Sequence, residues 1–356
     1  MDASKRLTDS FGRAMGDLRI SVTDRCNFHC LYCLPETEAA ADFYMKQASM
    51  GASQDESVPI LRQWKPKSQI LNYEEIVRIV RILAPYGLSK IRLTGGEPML
   101  RRNLDQLIAG LSAIEGVRDL AMTSNGFRFL EKAQSLKQAG LKRMTFSLDS
   151  LDSKGFKKMT GVAALDSVLD SIAIAKDLGF DPIRINAVVI RGMNDHEISD
   201  LAAFAQKHKV SMRFIEFMPL DAGRSWQKSL VVTGEEIMDH LHSRFDLVPV
   251  AAINDSETAT RWRFRETPEA EIGIIAPVSK PFCRFCNRLR LTADGHIRTC
   301  LFSLEEYDLK PLLRGGADDM QILKFIRDAV LLKEERHHIG ESSFVQPVRT
   351  MSGIGG

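Results

Sequence analysis

Two trios of cysteines carry the residue types in this chain most suited to chemistry. The first, Cys26, Cys30 and Cys33, lies in CNFHCLYC; the second, Cys283, Cys286 and Cys300, lies in PFCRFCNRLRLTADGHIRTCLF. Odd numbers of closely spaced thiols do not build a disulfide framework, and 356 residues bury enough core to hold without staples. Two metal chemistries fit. Structural zinc wants four closed tetrahedral ligands, so His29 or His296 would have to complete a site. His29 is awkwardly placed beside Cys30, whereas C-x2-C, the hairpin-like TADGHIRT and a third cysteine make a reasonable zinc ribbon. Thiolates also hold iron–sulfur clusters. A four-iron cluster on three cysteines leaves one iron open, and a small molecule can bind an open metal directly. Spacing alone leaves both readings standing at each trio.

The wider motif narrows the choice. C-x3-C-x2-C with Tyr32 before its last cysteine, at the end of a first strand, resembles the signature of the radical S-adenosylmethionine superfamily. GGEP at 95–98, after a second strand, is similar to the motif with which that superfamily holds the methionine amino group. Alone, GGEP is a turn opening a helix; beside CNFHCLYC it takes on the second meaning. The resemblance implies S-adenosylmethionine chelated to the open iron and cleaved to a 5′-deoxyadenosyl radical, with the protein orienting the reactants and excluding water.

CNRLRLTADGHIRTCL resembles the GTP 3′,8-cyclase family (molybdenum cofactor biosynthesis protein A), which opens molybdenum cofactor biosynthesis. DLRISVTDRCNFHCLYC, IRLTGGEPMLR, TSNG, FSLDSLD, RINAVVIRGMND, RFIEFMPL and the terminal MSGIGG agree with it in order along almost the whole chain. The resemblance implies two [4Fe-4S] clusters, each on three cysteines, the second binding guanine. It implies conversion of GTP to (8S)-3′,8-cyclo-7,8-dihydroguanosine 5′-triphosphate, by loss of the C3′ hydrogen and attack of that carbon on C8. Carried over position by position, Arg19, Arg92, Thr123, Arg184, Arg288 and Arg290 align with GTP contacts, Arg184 standing where the family more often has lysine. Tyr32 (through its backbone), Gly96, Glu97, Ser147 and Met218 align with the S-adenosylmethionine site. Gly355 and Gly356, otherwise a frayed end, align with a double glycine required for catalysis, and Arg19 joins them in the catalytic set. Guanidinium forks suit a triphosphate because they make bidentate, charge-assisted bonds. Arg288 and Arg290 alternate along a strand-like run and so project to one face.

The same resemblance implies a flavodoxin- or ferredoxin-type electron donor and hand-over of a labile product to cyclic pyranopterin monophosphate synthase; it also allows a homodimer. Two rivals are a radical enzyme modifying a peptide through an auxiliary cluster, and a zinc module binding nucleic acid. The first would usually carry more cysteines in its second group. A net charge of +2 and no basic tail count against the second.

Positioning these residues requires a frame. Strand-like runs at 18–24, 90–96, 119–126, 143–150, 183–190 and 211–218 alternate with helical patterns at 73–87, 103–114, 130–140, 164–179 and 197–208. Gly87, Gly140 and Gly179 fall where helices end. Six such units predict an α/β fold, a partial (βα)6 barrel of TIM type, with ligands beyond the C-terminal strand ends. After about residue 225 the rhythm fades. We expect domains over 1–225 and 226–356, the second an α+β unit closing the barrel's open side, with a cluster at each end of the cavity. Residues 36–70 read as a mobile insertion. No run approaches 18 apolar residues and no signal peptide opens the chain, so a reducing, cytoplasmic setting is expected, without a membrane.

Overall fold

The computed structural model describes residues 6–33, 64–220 and 226–355. Most of the expected insertion (36–63) and Gly356 lie outside the described residues. Asp17–Ser21 (β1), Lys90–Thr94 (β2), Asp119–Ser124 (β3), Arg143–Ser147 (β4), Arg184–Val189 (β5) and Ser211–Glu216 (β6) pair as consecutive parallel neighbours. Their helices are Tyr73–Leu83 (α1), Leu104–Ser112 (α2), Ala133–Gln138 (α3), Ser153–Thr160 (α4), Leu165–Asp177 (α5) and Ile198–His208 (α6). Each expected strand and helix is present, most of them shorter, although β1 begins one residue earlier than expected, and α4 is an addition. Gly87, Gly140 and Gly179 take φ of 103°, 103° and 69° just after their helices.

The later chain continues the same sheet on both sides. After Gly234–His242 (α7) come Leu247–Val250 (β7), Thr260–Phe264 (β8) and Glu271–Ile275 (β9), then Arg288–Leu291 (β10), His296–Arg298 (β11) and Tyr307–Asp308 (β12). The order is β12-β11-β10-β1-β2-β3-β4-β5-β6-β9-β8-β7. β10 lies parallel to β1 and β9 parallel to β6, while the outer pairs are antiparallel. Lys310–Arg314 (α8), Asp319–Leu331 (α9) and Met351–Ile354 (α10) complete the chain.

Alternation sorts the strand residues. Leu18 and Ile20 of β1, Leu93 of β2 and Phe146 of β4 turn outward into a core shared with Ile76, Ile79, Leu107 and Val168 of the helices. Each such buried side chain contributes roughly 1.5–3 kcal/mol. Capping boxes at Asn72/Glu75, Thr233/Glu236 and Asp318/Gln321 fix the starts of α1, α7 and α9. The alternate strand positions face inward and are mostly polar. The interior of a closed barrel of this type is packed with branched apolar chains; here it is hollow and charged.

Candidate functional site

That hollow is a cavity of about 560 Å³, lined by both cysteine trios and by Arg19, Arg92, Arg184, Arg288 and Arg290. Strand direction explains how one space reaches both trios. The first trio follows β1, beyond its C-terminal end. Cys283 and Cys286 precede β10, and Cys300 follows its antiparallel neighbour β11, so the second trio lies at the N-terminal end of the same parallel pair. The site therefore runs through the barrel, further than the strand-end location expected from the fold class.

At the first trio, the GGEP turn grips the loop before Cys26 by backbone alone. Gly96 N–H donates to the Thr23 carbonyl at 2.7 Å and Glu97 N–H to the Arg25 carbonyl at 2.7 Å. A methyl group on Gly96 would collide with the Arg25 carbonyl. The Glu97 carboxylate accepts from Met99 N (2.9 Å), Ser124 Oγ (2.8 Å) and Asn125 N (2.7 Å), locking the turn to the end of β3. Burial pushes that carboxyl up to about 7 against the pull of these donors. The loop's other side pairs with the end of α4, through His29 N–H to the Thr160 carbonyl and Leu31 N–H to the Met159 carbonyl. Tyr32 Oη donates to Asp149 Oδ2 at 2.8 Å, and Val188 N–H donates to Asp149 Oδ1 at 2.8 Å. Burial lifts the Asp149 carboxyl to about 6.

None of the six cysteines forms a disulfide. Burial raises the Cys30 thiol well above its ordinary value, and the neighbouring Cys26, Asp149 and Cys33 raise it further. Three thiols in that setting resist ionising together unless a metal supplies compensating positive charge, so they fit a metal cluster. At the second trio, burial raises Cys286, but Arg288 and Lys333 outweigh it and leave the thiol below its ordinary value. Cys300 is pushed up to about 11, first by burial and then by Glu334. Lys333 is buried and donates to the Arg288 and Thr299 carbonyls. Arg13, paired with Asp9, donates to the Cys283 carbonyl at 2.9 Å. Among the described residues, neither trio gathers with a histidine into a single-ion site; His296 instead faces Asp294 at 3.4 Å.

Strand register arranges the arginines between these ends. Arg290 lies beside Arg19, and Arg19 beside Arg92, forming one transverse row across β10, β1 and β2. Thr123, Thr145 and Arg184 form a similar row on β3, β4 and β5. Arg92 Nη1 joins the two rows, donating to Thr123 Oγ1 (3.1 Å) and Thr145 Oγ1 (3.0 Å). Burial lowers Arg92 to about 10, helped by Arg19 and Arg143, and lowers Arg290 well below the usual arginine range, helped by Arg19 and Arg288. A cavity that crowds cations in this way is built for an anion. Arg288 stacks on Phe282, with 5.0 Å from guanidinium carbon to ring centre.

Tyr32, Gly96, Glu97, Ser147 and Met218 line the same cavity. Gly355 packs at its wall: Arg290 donates to the Gly355 carbonyl, φ is +86°, and an added Cβ would lie 2.8 Å from Ser21 Cβ. Sequence reading missed Arg213, Asp149 and Lys333. Arg213 on β6 stands in register with Asn186 on β5 and faces the cavity; its alternation with outward Met212 and Phe214 was the available signal.

Two family models match the chain, Radical SAM superfamily over residues 20–205 and Molybdenum Cofactor Synthesis C over 210–339. Among curated proteins, GTP 3′,8-cyclase of Mycolicibacterium smegmatis is 40% identical, covering 98% of this chain and 92% of that one. The GTP 3′,8-cyclase of Rhodopirellula baltica is 40% identical with the same coverage. In fold, the crystal structure of Streptococcus suis SuiB bound to precursor peptide SuiA is similar, with a TM-score of 0.57 at 16% identity over 96% of this chain and 77% of that one.

Proposed function

The chain belongs to the GTP 3′,8-cyclase family of the radical S-adenosylmethionine superfamily, and we propose that it carries out that family's reaction in the cavity joining the two trios. It is a radical S-adenosylmethionine lyase of molybdenum cofactor synthesis whose substrate is GTP. The observation that carries the residue assignment is the convergence of six thiols and a bank of arginines on one cavity.

In this reading Cys26, Cys30 and Cys33 hold one [4Fe-4S] cluster, and Cys283, Cys286 and Cys300 hold a second. When bound, the first cluster with S-adenosylmethionine supplies one-electron cleavage of a carbon–sulfur bond. The chain's own residues do the rest. The Gly96 backbone, the turn locked by Glu97, the Tyr32 backbone, Ser147 and Met218 hold S-adenosylmethionine at the C-terminal strand ends. Arg19, Arg92, Arg184 and Thr123 hold the triphosphate, and Arg213 adds a further cation to that group. Arg288 and Arg290 serve the base end beside the second trio. Fixing the nucleotide at both ends holds C3′ against the reacting group, and such positioning is worth on the order of 7–11 kcal/mol. Gly355 and Gly356 join Arg19 in the catalytic set. The organisation into 1–225 and 226–356, a flavodoxin- or ferredoxin-type reductant, a cyclic pyranopterin monophosphate synthase as product acceptor, a homodimer and a cytoplasmic setting belong to the same proposal. No helix among the described residues is long and apolar enough to cross a membrane.

The test is an anaerobic reaction of the reconstituted protein with S-adenosylmethionine, reductant and GTP deuterated at C3′. Deuterium is expected in the released 5′-deoxyadenosine. Unlabelled 5′-deoxyadenosine formed equally fast without GTP would remove the assignment of this cavity to GTP.

A further inference from the structure

A chain end that must reach a reacting centre needs an anchor upstream of it, because termini fray unless tied down. The segment preceding α10 has one. Arg349 Nη1 donates to Asp294 Oδ1 at 2.9 Å, and Nη2 donates to Asp294 Oδ2 at 3.2 Å and to Glu306 Oε2 at 2.6 Å. Both carboxylates have partners besides the arginine. Asp294 is 3% exposed and accepts from Thr292 Oγ1 at 2.6 Å; Glu306 pairs with Arg298, itself buried and bonded to the Ser303 carbonyl at 2.6 Å. The fork is thus held bidentately on the β10–β11 turn and clamped again by the loop after β11. Such geometry is directional in a way that a single ammonium contact is not.

Beyond the anchor, apolar packing and one long-range hydrogen bond hold the described chain. Ile354 is buried against Leu220, Phe302 and Ile339, and the Gly355 carbonyl accepts from Arg290. Between anchor and tip run three short-range backbone bonds, Gly353 and Ile354 N–H to the Thr350 carbonyl and Gly355 N–H to the Met351 carbonyl, and a Thr350–Ser352 hydroxyl pair at 3.0 Å. We propose that Arg349 is a positioning residue: its bidentate pairing with Asp294, braced by Glu306, sets where Gly355 sits against Arg290 at the cavity wall. The turn it grips is the one that follows Arg290, so the anchor and the arginine that holds the Gly355 carbonyl lie on one rigid hairpin. The inference rests on the reading that Gly355 and Gly356 act in the cavity.

The experiment is amide hydrogen exchange on the full, reconstituted protein, together with GTP turnover, for Arg349→Met and Arg349→Lys. In Arg349→Met the amides of residues 353–355 should exchange about tenfold faster or more, matching loss of a charge-assisted hydrogen bond, while residues 288–298 keep wild-type protection. Turnover should lose kcat with little change in KM for GTP. Arg349→Lys, which keeps the charge without the fork, should fall between. Unchanged exchange at 353–355, or equal loosening of 288–298, would overturn the anchor whatever happens to kcat. A tail that loosens while kcat holds would keep the anchor and remove Gly355 and Gly356 from the catalytic set.

Discussion

Arg213 enters the cavity with its Nε buried and without a hydrogen-bond partner among the described residues. Burial, with Arg92 and Arg143 nearby, lowers its pKa to about 9. At neutral pH it is still charged, so the ligand-free fold bears a cost that a bound polyanion would relieve. Arg213→Met should therefore stabilise the ligand-free protein by about 1–3 kcal/mol, the usual cost of an unsatisfied buried polar group, and reduce the stabilisation GTP gives. Urea unfolding with and without GTP reads both; a destabilised variant with undiminished GTP protection would refute the assignment. At this scale the sequence was legible where chemistry demands a spacing, as with Cys26, Cys30 and Cys33. At Arg213 the alternation with Met212 and Phe214 marked the face but not its use, because one cation inside an apolar run looks the same whether it faces a cavity or solvent.

The elements show why strand ends were read too long. The runs expected at 90–96 and 119–126 stop at Thr94 and Ser124, because Gly95-Gly96 and Asn125-Gly126 leave the ladder to build the site. Their β-like neighbours hide the departure. α4, SKGFKKMT, was missed because its glycine and short apolar stripe weaken a helical pattern; an Asp152 cap on Gly155 N–H, at 2.7 Å, supplies what propensity lacks. The close contact between the GGEP turn and the loop before Cys26 gives an element-level prediction. Gly96→Ala must push the two loops apart, since the obstacle is backbone rather than a flexible side chain. We expect lowered iron at the first trio and a fall of about 100-fold in 5′-deoxyadenosine formation, the scale of loss that small misplacements cause. Wild-type iron content with wild-type rates would show that the loops can part without consequence.

For the whole molecule, the chain after residue 225 adds strands to both sides of the same sheet, its outer pairs antiparallel. No local signal, however, could announce that β9 and β10 would pair with β6 and β1, partners distant in the chain. That pairing sets the two trios at opposite ends of one space, and their duties should separate. Replacing Cys283, Cys286 and Cys300 together by alanine should remove the iron of one trio only. 5′-Deoxyadenosine formation should persist while deuterium transfer from C3′ of GTP disappears. Loss of all iron would instead show that the trios depend on each other. The same pairing has a consequence for how the protein is made. β1 and β6 are flanked by strands that leave the ribosome long after them, β10 about 75 residues behind β6. At typical synthesis rates that interval lasts roughly 4–15 s. Until β9 follows, about 55 residues behind β6, the nascent six-strand sheet presents two unpaired edges, and the β1 edge stays open until β10, the kind of surface that templates association with other chains. Production of this protein should therefore depend on chaperone supply and translation speed more than its finished stability suggests.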